Sequence, residues 1–318
     1  DNENRSAFDH ALANGRWRAV AIINPSYALP EHFVEDPSPA KHSSALQPLA
    51  SALTESAFAE AERMLASGLA PSASEWSSLL LAFAQQQRLD AVAWLFQRGA
   101  SLCSPSDGAD TVYRRLMASD QNPSGIIALA LSAGHSIAGS GTLSAFLESC
   151  LSNDFSRRSE ENLALQLLQQ GADPFGLSPL LQSPPLLLAV RLGWHRLSDV
   201  LLECGVDANA TDASGLSALH VAAQPGRSEW LKPLILAGAN PKQRALSGQT
   251  PLSYALLSHS AEAVEWLSWP LWPLPCRRLQ AFDLPGAVLR KDRTAVDKLL
   301  LLGLDLNALD RNGSTALI

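Results

Sequence analysis

Cysteine is scarce in this 318-residue chain, and what there is lies scattered. Cys103, Cys150, Cys204 and Cys276 are 47, 54 and 72 residues apart, with no C-x-x-C among them. That spacing offers neither a disulfide framework nor zinc ligands. The four read as small buried hydrophobes, in keeping with a reducing compartment. Aromatic residues make up only 6% of the chain while Leu and Ala dominate, a mixture that favours helices over strands. No apolar run reaches about 18 residues, so no membrane span or membrane contact is expected within this stretch. Nor is the start at Asp1 a signal peptide. Basic residues are outnumbered, 24 against 31, for a net charge of −7; a nucleic-acid partner would want a basic stripe instead. Lys is rare, 5 against 19 Arg, which together with abundant Ala, Leu and Trp points to GC-rich bacterial coding.

Catalytic motifs are missing too. There is no G-x-G-x-x-G, G-x-x-x-x-G-K-S/T, H-E-x-x-H or G-x-S-x-G, so no cofactor, metal or enzymatic activity is expected. His10, His32, His42, His135, His195 and His259 have no second His or Cys at ligand spacing, and His195 with Asp199 makes only a pair. Asp292 and Asp297 read as a solvated face of a short charged turn and helix.

What the chain has is a ladder of glycines. Gly68, Gly99, Gly134, Gly171, Gly205, Gly238 and Gly303 each close a Leu-rich stretch, at steps of 31, 35, 37, 34, 33 and 65 residues. The last step is close to two of the others. A period in this range marks a repeat architecture, in which each unit packs on its neighbours and the stack offers an extended binding surface. The clearest unit spans residues 205–239. Gly205 sits where a helix must end in a left-handed position, and Asp212-Ala213-Ser214-Gly215 has the chemistry of a β-turn. Ser217 can cap a helix whose face is Leu219, Ala222 and Ala223. From helix-end Gly to turn Gly the offset is 10 residues in three places: 205 to 215, 238 to 248 and 303 to 313.

Ser217-Ala218-Leu219-His220-Val221-Ala222-Ala223, Thr250-Pro251-Leu252-Ser253-Tyr254-Ala255-Leu256 and the opening Thr315-Ala316-Leu317 resemble the signature of the ankyrin-repeat family. The resemblance is clear over residues 163–318 and only periodic over 1–162. It implies an all-α solenoid of about nine stacked helix pairs with short hairpin-like turns, the first pair at residues 8–24. It also implies that His220 bonds backbone and neighbouring hairpin groups, and that a protein partner meets the hairpin tips and first helices. Carried onto this sequence, the contact positions include Leu216, Arg244, Leu246, Gln249, Leu257, Leu309 and Arg311. The tip leucines 216, 246 and 309 do not share an offset, so packing of hairpin on hairpin competes with contact to a partner.

Three stretches depart from the period: a Pro-rich insertion at 30–42 and enlarged connections at 107–110 and 152–161. A fourth, Trp269-Pro270-Leu271-Trp272-Pro273-Leu274-Pro275, stands where a helix-end Gly and its hairpin should be. Its prolines disfavour helix and sheet alike. Trp269 and Trp272 are expected to meet a partner there or to pack over the missing hairpin. Trp94, Trp230 and Trp266 belong to second helices and read as core, with Trp194 intermediate. The expected role is a protein-interaction scaffold within a larger, cytoplasmic protein. An effector secreted into a host and a module docking within its own polypeptide are the alternatives.

Overall fold

The computed structural model describes residues 46–103, 111–119, 122–135, 141–152, 158–224 and 227–309, with positions 137, 313, 315 and 316. The helix pair expected at 8–24, the insertion at 30–42 and the connection at 107–110 lie outside them. Sixteen α-helices run through the described residues, and the only strand-like pairing among them is a single bridge between Thr211 and Ser217. The chain divides into two compact units, residues 1–116 and 117–318.

In the first unit α1 (Gln47–Thr54) packs on α2 (Phe58–Ala66), and α3 (Ala73–Gln85) on α4 (Leu89–Gln97). Ser72 and Glu75 cap α3 reciprocally, each filling a backbone donor that the first turn leaves open. Arg88 reaches back one repeat to the Thr54 carbonyl (2.8 Å) and the Ser56 hydroxyl (2.8 Å) while pairing with Asp90 (2.9 Å). That pairing, with the Ser56 hydrogen bond, holds the Asp90 carboxyl well below the usual range. The unit boundary falls within α5 (Val112–Met117).

The second unit contains α6 (Ser124–Ser132), α7 (Thr142–Ser152), α8 (Arg158–Gln169), α9 (Pro185–Leu192), α10 (His195–Glu203), α11 (Ala218–Ala222), α12 (Leu231–Leu236), α13 (Pro251–Leu257), α14 (Ala261–Leu267), α15 (Asp283–Leu289) and α16 (Arg293–Leu301). The expected connection at 152–161 is shorter than the sequence suggests. Its residues from 158 onward open α8, with Glu160 and Glu161 in the first turn, where carboxylates complement the helix dipole. First helices stack on first helices, α7 on α9, α9 on α11 and α11 on α13. Second helices stack likewise, α6 on α8, α8 on α10 and α12 on α14. Close approach is possible because the facing residues are small: Ala189, Ala222, Ala255 and Ala287 are wholly buried. Leu187, Leu201 and Leu234 fill the space between, each contributing about 1.5–3 kcal/mol by leaving water.

The glycine ladder is a ladder of helix ends. All seven glycines have φ between +77° and +105°, the left-handed conformation that terminates a helix and that a side chain resists. A second regular position lies between the two helices of a pair, where Ser56, Gln87, Gly193, His259 and Lys291 also have positive φ. It gives a register for comparing repeats.

Candidate interaction surface

The two best-formed hairpins follow Gly205 and Gly238. In the first, Asp212 N–H donates to the Leu216 carbonyl (3.1 Å) and Gly215 N–H to Asp212 (2.9 Å). In the second, Ala245 N–H donates to Gln249 (2.9 Å) and Gly248 N–H to Ala245 (2.9 Å). The tips are joined, since Leu246 N–H donates to the Ser214 carbonyl at 3.0 Å. Behind them Asn209 bridges repeats, donating to the Gly238 carbonyl (3.1 Å) and accepting from Asn240 N–H (2.7 Å). His220 does what the resemblance implies. Its Nδ1 accepts from Ser217 N–H (3.1 Å), which leaves the proton on Nε2, facing the Gln249 carbonyl at 3.3 Å. Burial lowers its pKa. This buried ring locks one hairpin to the next, and nothing in the arrangement asks it to move a proton.

The contact positions expected from the sequence divide into three groups. Leu246 is 81% exposed and Leu309 57%; Arg244 is exposed too, donating to the Gly248 carbonyl at 3.1 Å. Leu216 and Gln249 are half-buried against the hairpins. Arg311 lies outside the described residues. Trp269 and Trp272 are placed inside, only 7% and 6% exposed, so each offers a partner an edge at most. Trp94, Trp194, Trp230 and Trp266 are buried as well. Leu257, also expected from the sequence, is exposed, and Leu289 is the position that was missed. Leu257 and Leu289 each lie two residues before the left-handed residue of their pair, His259 and Lys291. They are therefore equivalent in adjacent repeats, and they are 67% and 76% exposed. The glycine period alone could not align them, because the rung between Gly238 and Gly303 is absent.

The Trp-Pro segment fills that gap by a different device. Helix α14 ends without a left-handed residue, at Ser268 with φ −88° and ψ 111°. The carbonyls of Glu265 and Ser268 are taken instead by the Nζ of Lys298, a residue of α16. The same ammonium lies over the Trp269 ring, 4.9 Å from its centroid, where the π face attracts a cation. Asp292, at the start of α16, accepts from the N–H groups of Leu271 (3.2 Å), Trp272 (2.7 Å) and Ala295 (3.1 Å) and from the Thr294 hydroxyl (2.7 Å). Far from forming a solvated face, Asp292 is 2% exposed. A carboxylate can stay ionised there because N–H and O–H donors replace water. Burial pushes its pKa up, but the hydrogen bonds outweigh burial and leave it below the ordinary value. For Lys298, burial wins and the pKa is lowered. The segment then folds back on the preceding repeat. Leu279 N–H donates to the Leu236 carbonyl (2.9 Å), and the Arg277 backbone sits so close to Gly238 that a Cβ there would overlap it.

A second departure occupies residues 173–183. There Glu148 of α7, 3% exposed, accepts from Leu180 N–H (3.1 Å) and Leu181 N–H (2.5 Å). Burial pushes its carboxyl up, and these hydrogen bonds only partly pull it back. The loop it holds exposes Phe175, Leu177, Leu180 and Leu181. Among the described residues no three His, Cys, Asp or Glu side chains converge as metal ligands, and no helix is long and apolar enough to cross a membrane.

The family model for ankyrin repeats (three copies) matches residues 156–245 and 186–269. Over this segment, just over a third of the chain, the sequence carries ankyrin repeats. Inversin of Canis lupus familiaris is 38% identical over 100 residues, 31% of this chain and 9% of that protein. Glycerophosphocholine phosphodiesterase gde1 of Schizosaccharomyces pombe is 37% identical over 86 residues, 26% of this chain and 8% of that protein. The ankyrin-matching stretch thus spans less than a tenth of either relative, and what those proteins do as wholes is not carried over with it. Among solved structures, the human ASB11 ankyrin repeat domain is 20% identical with a TM-score of 0.48, covering 70% of this chain and 98% of that one. It is the sequence matches that assign the family. Ankyrin repeats are protein-interaction modules, stacked units whose curvature presents an extended surface.

Proposed function

We propose that this chain is a binding scaffold that holds a protein partner through the hairpin tips and first helices of its C-terminal repeats, with no catalysis of its own. One observation carries the reading. Leu246, Leu257 and Leu289 stand 67–81% exposed on hairpin and first-helix positions of successive ankyrin-type units, while the leucines between helices are buried. Exposed apolar side chains gathered in one patch mark interaction sites, and the reading takes these three as such a patch, in which a few anchors supply most of an interface's energy. Arg244, Gln249, Leu309 and the half-buried Leu216 belong to the same proposed surface, as does Arg311 by sequence position. The test is affinity capture with the whole chain and with a Leu246→Asp/Leu257→Asp/Leu289→Asp variant of unchanged circular dichroism. A partner retained by the wild type and lost by the variant supports the reading; identical captured sets refute it.

The rarity of Lys beside Arg supports a bacterial source. A cytoplasmic regulator and an effector passed into a host are the two settings this admits, and immunodetection in cell pellet against culture medium separates them.

A further inference from the structure

The Trp-Pro segment leaves a cleft where it passes the hairpin that follows Gly238. The cavity is about 440 Å³, within the range of built ligand sites. Its lining includes the buried Leu267 and Trp269, which we take as its floor, with Leu252, Pro241 and Pro270 beside them and the exposed Lys242 and Arg244 at the solvent side. No carboxylate lines it. Neither rim cation pairs with a carboxylate among the described residues, although the chain as a whole carries −7. A local excess of positive charge in an acidic protein, set around an apolar floor, selects its ligand by charge.

We propose that this cleft seats an acidic peptide segment of the protein partner, an extended stretch with carboxylates flanking one aliphatic side chain. The proposal rests on the scaffold reading above and deepens it by naming the chemistry of the segment held. The aliphatic side chain enters between Leu252 and the exposed edge of Trp269, and the carboxylates meet Lys242 and Arg244. Arg presents a planar fork suited to a carboxylate, and Lys a mobile point charge. The floor is already rigid. The Trp269 indole N–H donates to the Trp266 carbonyl at 2.8 Å, and Lys298 covers one ring face. Pro241 and Pro270 stiffen the walls, so little ordering entropy opposes binding. Two cations around an apolar floor do not make the long basic stripe that nucleic acid requires.

The test uses the full chain and three fluorescein-labelled probes: acetyl-Glu-Glu-Leu-Glu-Glu-amide, the same peptide with a central Ala, and acetyl-Lys-Lys-Leu-Lys-Lys-amide. Anisotropy reports affinity, and amide shifts locate the site. The acidic Leu peptide is expected to bind, to shift Lys242, Arg244, Ser268 and Trp269, and to weaken as salt rises. The Ala peptide should bind several-fold more weakly, and the basic peptide not at all. Both rim cations are exposed, so Lys242→Glu/Arg244→Glu should keep the fold and lose at least tenfold in affinity. No response up to millimolar acidic peptide, equal binding by the charge-reversed variant, or equal displacement by a single-stranded 12-mer oligonucleotide would each overturn the proposal. If Lys242→Glu/Arg244→Glu retains a partner that the triple Leu variant loses, the scaffold reading stands and the cleft falls.

Discussion

Two repeat ends in the same unit solve one problem by opposite means. At Gly238 the helix closes locally. Gly238 N–H donates to Ile235 (3.0 Å) and Ala239 N–H to Leu234 (2.9 Å), and the chain turns out through a left-handed residue with φ +92°. At Leu267 there is no such residue. The open carbonyls of α14 are capped by Lys298, about one repeat away in sequence, and the loop amides are gathered by Asp292, 20–21 residues away. A backbone cap needs only a glycine and is self-contained. A side-chain cap buries two charges and works only when the following repeat is in place. The first is robust, whereas the second makes stacking of the last repeat a condition for ordering residues 268–272.

The comparison can be broken most forcefully at Asp292. Asp292→Ala strips the acceptor from several buried donors, each costing about 1–3 kcal/mol when left unmet. A loss of about 3–4 kcal/mol in urea unfolding is expected, with the C-terminal repeats melting first. Next come two rungs of the ladder. Gly238→Ala must force a Cβ against the Arg277 backbone and should cost about 2–4 kcal/mol. Gly205→Ala, with φ +81° but nothing within 4 Å, should cost about 1 kcal/mol. Equal losses at the two sites would mean that the Trp-Pro segment does not press on Gly238. Between regular repeats, Ala222→Leu should overpack α11 against its neighbours and cost about 1–3 kcal/mol by thermal melting.

The smallest effect concerns pH, where two of the buried carboxylates, Asp292 and Glu148, differ in sign. Asp292 has a depressed pKa; its contribution is present above the unfolded value and is lost as pH falls from about 4 through the lower folded value. Glu148 has a raised pKa. Its carboxyl therefore favours the fold when protonated, and that contribution is lost as pH rises from the ordinary 4.5 through the folded value. Asp292→Asn should flatten the acid limb of the stability curve, and Glu148→Gln should remove the loss on the rising side. Parallel curves for both variants would show that the carboxylates do not differ.

Much of the fold is legible in the sequence because its rules are local. A glycine that ends a helix, a Ser217 or Thr250 that starts one, and an Ala222 that admits a neighbour each act within a few residues. His220 is legible because its partners, Ser217 and the next hairpin, repeat with the unit. Asp292 and Lys298 resist this reading. Asp292 caps its own helix through Thr294 and Ala295, but the backbone groups by which the two residues hold the Trp-Pro segment lie 20–33 residues away, and a charged turn looks the same whether it faces water or carbonyls. The usable signal was the missing rung itself, since a helix end without glycine needs donors for its carbonyls. At the surface, Leu246 could be named from the hairpin pattern. Leu289 could not, because its register depends on the left-handed Lys291, whose residue type carries no sign of that conformation.

The central claim is that residues 268–272 are a pinned helix end. Amide hydrogen exchange at Leu271 and Trp272, measured residue by residue in the intact chain, tests it most directly. Protection comparable to that of Gly238 and Ala239, lost in Asp292→Ala, is the predicted result. Exchange at the rate of an open loop in the wild-type protein would contradict it.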